Sequence, residues 1–147
     1  MTDFRQVTNT VSVSPQITTA DIDAAKEQGF TLLINNRPDG EELGQPANAD
    51  LEAYANEAGI KWLHIPFAGT DLTLNKVMQM NYELKRNEKI LAFCRTGTRS
   101  CNIWALASAL TNELANEEII ANGSTAGYDL SGMEASLDHI RELNTSA

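Results

Sequence analysis

The segment CRTGTRS, residues 94–100, combines the side chains of an anion-binding nucleophile site. It holds a thiol at Cys94, a glycine at Gly97, an arginine at Arg99 and a hydroxyl at Ser100. The apolar run KILAF before it predicts the last buried strand, and apolar residues at helical spacing after it predict a helix. A turn from a strand into a helix leaves backbone N–H groups unpaired at the positive end of the helix dipole. The segment therefore favours an anion.

Each of these side chains has an expected role. The loop amides and Arg99 would stabilise a Cys94 thiolate, which is the nucleophilic form of cysteine. Gly97 allows a positive φ and a close approach of the backbone to an oxyanion. The planar fork of Arg99 can hold two oxygens at once, and Ser100 would donate to the sulfur or cap the helix. We interpret Cys94 as a nucleophile; the alternative is a small buried hydrophobe in an ordinary loop.

Composition narrows the classes of protein and of partner. The chain has 147 residues, 42% of them hydrophobic, which predicts a single globular domain over 1–147. A net charge of −9 argues against a nucleic-acid or membrane surface. Two cysteines and two histidines form neither a disulfide framework nor a metal cluster, so no metal or cofactor is expected. We find no signal-peptide pattern or spanning segment and expect a cytoplasmic protein.

Strand-like and helix-like runs alternate along the chain, which predicts an α/β fold with a mostly parallel or mixed central sheet flanked by helices. Turn-forming residues make 35–48 and 121–132 the most loop-like segments. Strands are expected within 7–14, 31–36, 61–67 and 89–93, and helices from Thr18 to near Gly29, over 51–58, 74–84 and 133–143.

Ligands of such sheets bind beyond the carboxyl ends of the strands. The loops after Asn36, Phe67 and Phe93 would share that edge, which brings Asp71 towards Cys94. Asp71 is a candidate general acid, and the alternative is a favourable charge at the start of the helix near Thr73.

Other charged residues at this edge carry open alternatives. Arg37 would add a second positive contact for an anionic substrate or pair with Glu41 or Glu42, whereas Asp39 fits a turn residue in RPDG. Arg95 faces either the substrate or solvent. Cys101 would resolve an oxidised Cys94 or serve as a small core residue.

The motifs VSVSPQIT, INNRPDGEE, HIPF, AFCRTGTRS, WALA and AGYDLS, taken in order over roughly residues 5–132, resemble the phosphatase-like domain of beta-lactamase-hydrolase-like proteins. That domain is related to protein tyrosine and dual-specificity phosphatases. The resemblance implies a tyrosine-phosphatase-like fold, with Cys94 as nucleophile, Arg99 as anion clamp and Asp71 as general acid, and Ser100 beside them. It implies substrate contacts from the following residues: Arg95, Thr96, Gly97, Thr98 and Arg37.

The spacing within the loop resembles a second family. Four residues separate Cys94 from Arg99, one fewer than in standard phosphatases, and Phe93 replaces the usual histidine. This shorter pattern is similar to rhodanese-type sulfurtransferases. We therefore expect a Cys-dependent phosphatase that forms a phosphocysteine, with a sulfurtransferase carrying a Cys94 persulfide as the alternative and a non-catalytic anion-binding module as a third. The expected partner is a small anionic or phosphorylated substrate, with a functional link to a metallo-hydrolase-like persulfide enzyme.

Overall fold

The computed structural model describes residues 3–145, and its central sheet places the strand that precedes Cys94 in the middle. The strand order is β1-β2-β5-β3-β4. The strands are β1 (Arg5–Gln6), β2 (Val11–Ser14), β3 (Leu32–Asn35), β4 (Lys61–His64) and β5 (Ile90–Phe93). The helices are α1 (Thr19–Glu27), α2 (Asn48–Ala58), α3 (Leu74–Leu84), α4 (Thr98–Thr111), α5 (Asn116–Thr125) and α6 (Glu134–Thr145), with a short 3-10 helix at Ser131–Met133. The expected domain of 1–147 includes Met1, Thr2, Ser146 and Ala147, which lie outside the described residues.

Strand pairing makes the sheet mixed, as the alternating pattern predicted. Strands β2, β5, β3 and β4 are parallel, and β1 is antiparallel to β2. Asn35, the last residue of β3, is level with both Phe93 and His64. Four loops therefore start at one edge of the sheet, after β2, β5, β3 and β4, and Cys94 is the first residue of the loop after β5, the middle strand of the sheet.

Alternate side chains of the strands enter different hydrophobic clusters, because successive residues of a strand point to opposite faces. Leu33, Leu91 and Phe93 pack on one face with the buried residues of α1 and α2. Ile34 and Ala92 pack on the other face with the buried residues of α3, α4 and α6. Helix α4, which follows the Cys94 loop, is held between α3 and α6 as well as against the sheet.

Two expected segments are corrected by the structure. The segment 121–132 is not wholly a loop, since α5 continues to Thr125. Tertiary packing overrides the weak helix propensity of its asparagine, glycine and serine: Ile119 is fully buried, and a Cβ on Gly123 would lie 2.5 Å from a methyl carbon of Leu130. The strand expected over 61–67 ends at His64, because Pro66 has no N–H for a strand hydrogen bond.

Within residues 3–145, no helix combines the length and the apolar composition that crossing a bilayer requires.

Buried core side chains should contribute far more to stability than exposed apolar ones. Leu33 is fully buried, so Leu33→Ala should lower the free energy of unfolding by about 2–5 kcal/mol. Leu43 is fully exposed at the tip of a loop, and Leu43→Ala should change it by less than about 0.5 kcal/mol. Urea unfolding followed by circular dichroism measures both; similar losses for the two variants would contradict this description of the core.

Candidate active site

The Cys94 loop is a tight connection from β5 into α4. The Sγ of Cys94 accepts a hydrogen bond from the backbone N–H of Gly97 at 3.1 Å, and the side chain is fully buried. Gly97 is the N-cap of α4 and has a φ of 94°. The N–H groups of the first turn, residues 98–100, have no carbonyl one turn earlier to bond. The sulfur thus lies at the positive end of α4, as the sequence predicted.

Tyr128 supports this loop through a hydrogen bond to its backbone. Its hydroxyl donates to the carbonyl oxygen of Thr96 at 3.0 Å, and a Cβ on Gly97 would lie only 2.0 Å from that hydroxyl oxygen. Glycine is therefore required at position 97 both by the positive φ and by the space that Tyr128 occupies. Sequence reasoning missed Tyr128, although it lies within the motif AGYDLS that carried the resemblance.

Arg99 is held by Glu41 in a two-point contact. Its Nη1 and Nη2 donate to Oε2 and Oε1 of Glu41, each at 2.8 Å, and Nη1 also donates to the carbonyl oxygen of Phe67 at 2.9 Å. The hydrogen bonds to Glu41 are the main reason that the pKa of Arg99 is raised; burial opposes them, and the nearby Cys94 raises the pKa further. These contacts use both Nη1–H groups and one Nη2–H, which leaves Nε–H and the second Nη2–H of the guanidinium for other acceptors.

Arg37 is buried and anchors the same glutamate. Its side chain is 1% exposed and donates to Glu41 (Nε, 2.9 Å), Glu42 (Nη2, 3.0 Å) and Gln16 (Nη1, 3.0 Å). Of the two alternatives that the sequence left open for Arg37, pairing with Glu41 and Glu42 is the one observed. Arg37 therefore acts on the site by positioning Glu41 and Glu42, and its own guanidinium does not face solvent.

The other arginine of the loop lies at its rim. Arg95 is 61% exposed, and its Nη2 lies 3.5 Å from Oε2 of Glu42. Thr96 and Thr98, also exposed, share a hydrogen bond of 3.0 Å between their hydroxyls. These three residues line the open side of the loop, where a substrate contact was expected for each.

Ser100 differs from its expected role. Its hydroxyl donates neither to the sulfur nor as a helix cap but to the side-chain oxygen of Asn36 at 2.7 Å. The amide nitrogen of Asn36 in turn donates to the carbonyl oxygen of Ile65 at 3.1 Å. Because Ser100 lies in the first turn of α4 and is fully buried, it ties the Cys94 loop to the ends of β3 and β4. Asn36 was not expected at the site. Its position, as a polar residue at the end of a buried strand, is a sequence signal that could have identified it.

Asp71 lies on the loop between β4 and α3, at the same edge of the sheet. Its Oδ1 accepts from the backbone N–H of Ala68 at 2.6 Å, and Oδ2 is 3.9 Å from Nζ of Lys76. The carboxylate is 58% exposed. The loop contacts the site through Phe67, whose carbonyl oxygen binds Arg99. Asp39, by contrast, lies in a turn, as the sequence suggested, and its Oδ1 also accepts from the backbone N–H of Asn48 at the start of α2.

Cys101 is a core residue of α4. It is fully buried, it packs in the hydrophobic cluster on the α3–α6 side of the sheet, and burial raises its pKa to about 12. Both cysteines are unpaired thiols. Across residues 3–145, no three histidine, cysteine or acidic side chains group as ligands for a metal ion.

A mixed sheet with helices on both faces and a cysteine loop between the last strand and α4 defines a tyrosine-phosphatase-like fold. A crystal structure of kinase associated phosphatase, with its catalytic-site cysteine replaced by serine, matches with a TM-score of 0.74 at 17% identity over 100% of this chain and 97% of that one. A crystal structure of a candidate phosphatase from Neisseria meningitidis Z2491 matches with a TM-score of 0.82 at 29% identity, over 96% of this chain and 100% of that one.

The particular family follows from residues 3–111, which match the phosphatase-like domain of beta-lactamase hydrolase-like proteins. The chain belongs to that family, and the resemblance seen in the sequence is confirmed. The beta-lactamase hydrolase-like protein of Agrobacterium fabrum is 34% identical over 122 residues, which are 82% of this chain and 28% of that protein. The chain thus corresponds to a little over a quarter of its curated relatives. Family and neighbours together support a phosphatase-like hydrolase.

The contact between Glu41 and Arg99 should depend on pH. Hydrogen bonding to Arg99, and then to Arg37, holds the pKa of Glu41 below its ordinary value of 4.5. A lowered pKa adds stability that is present above pH 4.5 and is lost as pH falls through the folded-state pKa. Glu41→Gln should therefore flatten the acid limb of the stability–pH curve.

The measurement for Glu41 is urea unfolding at a series of acidic pH values. The matched control is Glu27→Gln, an exposed glutamate at the end of α1. An acid limb that is equally steep in Glu41→Gln and wild type would contradict the assignment.

The two cysteines should differ in alkylation. Both side chains are buried, so reagent access alone predicts no difference between them. With a pKa of about 12, only about one Cys101 in 10⁴ is a thiolate at pH 8. Iodoacetamide should modify Cys94 first, as read from peptide masses, and both should react alike in urea; preferential labelling of Cys101 in the folded protein would refute the assignment.

Proposed function

We propose that this chain hydrolyses phosphate monoesters through a phosphocysteine on Cys94. The observation that carries the proposal is the combination at one point of a buried sulfur, the Gly97 N–H at 3.1 Å and an arginine whose orientation is fixed by Glu41. Amide donors and a guanidinium around a nucleophile suit the transfer of a tetrahedral anionic group. The family and the phosphatase neighbours support the same class of chemistry.

In the first step the Cys94 thiolate attacks phosphorus, an S–P bond forms, and the bond from phosphorus to the leaving oxygen breaks. The Nε–Nη2 edge of Arg99 and the amides of the first turn of α4 hold the non-bridging oxygens. Asp71 gives its proton to the leaving oxygen. An arginine already held in place needs little reorganisation when charge develops on these oxygens.

In the second step water attacks phosphorus and the S–P bond breaks, which releases inorganic phosphate and returns the thiolate. Asp71, now a carboxylate, accepts the proton of that water. Thr96 and Thr98 line the entrance, and Arg37 acts through Glu41 rather than on the substrate. No metal or cofactor takes part in either step.

A second function is favoured by one observation, the loop length. Only Arg95–Thr98 separate the cysteine from the arginine, which suits a smaller group than a phosphoryl. In this alternative the Cys94 thiolate attacks the outer sulfur of thiosulfate, the S–S bond breaks and sulfite leaves. An acceptor thiolate then takes the sulfur from the Cys94 persulfide. Such chemistry would suit a functional link to a metallo-hydrolase-like persulfide enzyme.

The proton donor separates the two reactions. Phenyl phosphate has a poor leaving group, so Asp71→Asn should slow its hydrolysis by about 10²-fold or more, and nitrophenyl phosphate much less. Sulfur transfer from thiosulfate to cyanide has no alkoxide to protonate and should not respond to Asp71→Asn. Cys94→Ser should abolish whichever reaction the wild type performs.

Steady-state rates of the wild type and both variants on the three substrates give the answer. Equal slowing of the two phosphate esters by Asp71→Asn removes Asp71 as the acid. Turnover of thiosulfate alone selects the sulfurtransferase. Turnover of none of them, with binding of vanadate retained in Cys94→Ser, leaves the anion-binding module.

A further inference from the structure

Three arginines and two glutamates meet around the Cys94 loop. Arg37, Arg95 and Arg99 carry the positive charges, and Glu41 and Glu42 carry the negative ones. These five side chains carry one net positive charge, which a Cys94 thiolate balances, in a chain whose net charge is −9. Binding of an anion at the loop therefore depends on an arginine that can leave its glutamate partner.

The three arginines are not equally free to take an anion. Arg37 is 1% exposed and bonded to three side chains, so it cannot turn outward. Arg99 is 17% exposed and held on one edge by both oxygens of Glu41. Arg95 is 61% exposed and has one contact of 3.5 Å, to Glu42. Exposed ion pairs of this kind contribute at most about 1 kcal/mol, so Arg95 can exchange its partner at small cost.

Glu42 is fixed by the buried arginine rather than by Arg95. Its Oε1 accepts from Nη2 of Arg37 at 3.0 Å, which leaves Oε2 turned to Arg95. The backbone of Arg95 is also anchored, because its carbonyl oxygen accepts from the N–H of Gln16 at 3.2 Å. The backbone of Arg95 is thus held in place, whereas its exposed guanidinium can change partner. Arg95 is directly next to Cys94 in the chain.

We infer that Arg95 binds a second anionic group of the substrate, and that Glu42 holds Arg95 in place until that group replaces it. This inference rests on the proposed function and specifies its substrate class: a phosphate monoester with a carboxylate or a second phosphate close to the ester that is cleaved. Arg99 binds the reacting phosphate, and Arg95 reads the neighbouring charge. Glu42 competes with this group for Arg95, so it lowers the affinity for substrates that carry the group; substrates without it leave the contact between Glu42 and Arg95 unchanged.

Matched substrates test this directly. 3-Carboxyphenyl phosphate and 3-carbamoylphenyl phosphate have nearly the same shape and differ in one charge. In the wild type, kcat/KM should favour the carboxylate by about fivefold or more. Arg95→Gln should bring the ratio to one or below, and Glu42→Gln should raise it. Arg86→Gln, at an exposed arginine that stacks on Tyr82 far from the loop, should leave the ratio unchanged. 1,3-Phenylene bisphosphate in the same comparison shows whether phosphate is read better than carboxylate.

A ratio near one in the wild type, or a ratio that Arg95→Gln does not change, would overturn the inference. Binding is measured separately, as protection of Cys94 from iodoacetamide by the same compounds, so that failure of hydrolysis does not hide the answer. Better protection by the carboxylate that is lost in Arg95→Gln, without turnover, upholds the subsite and rejects the hydrolase. Turnover without discrimination rejects the subsite and upholds the hydrolase.

Discussion

One carboxylate shared by two arginines organises the candidate active site of this molecule. Glu41 bonds the buried Arg37 and the partly exposed Arg99 at the same time. A buried guanidinium is destabilising unless its hydrogen bonds are satisfied. The loop of 38–47 supplies Glu41 and Glu42, which accept hydrogen bonds from Arg37. Glu41 also fixes Arg99, because the carboxylate that satisfies Arg37 has oxygen lone pairs left for a second partner. The orientation of Arg99, the proposed anion clamp, is thus set by contacts within the protein and needs no substrate.

Four loops from neighbouring parallel strands supply these parts, and polar contacts between them align the loops. Ser100 and Asn36 join the start of α4 to the end of β3, and Asn36 continues to Ile65 after β4. Gln16, after β2, bonds both Arg37 and the backbone of Arg95. Each contact lies beyond the carboxyl end of a strand, where backbone N–H and C=O groups no longer pair within the sheet and need other hydrogen-bond partners. The sheet thus sets where the loops begin, and hydrogen bonds between side chains of different loops set how the side chains of the site are oriented.

Much of this arrangement could be predicted from the sequence. The rest consists of contacts between residues that are far apart in the sequence. The strand KILAF and the apolar helix after it identified the Cys94 loop, since both are local patterns. The alternation of elements predicted a mostly parallel or mixed sheet and a shared edge. Glu41 was considered only as a partner of Arg37 nearby in the chain, because local spacing gives no sign of a contact with Arg99, 58 positions away. The hydrogen bond of Ser100 to Asn36 and the support from Tyr128 are likewise long-range contacts that no local periodicity encodes.

The support from Tyr128 bears on where this folding unit can be cut. The family match covers 3–111, whereas the residue that braces the nucleophile loop lies on the segment between α5 and the 3-10 helix. A fragment trimmed to the matched region would keep every side chain of the anion clamp yet lose the tyrosine that fixes the carbonyl of Thr96. It would also lose α6, which packs against α4. The region matched by the family is therefore shorter than the structural unit that supports the Cys94 loop.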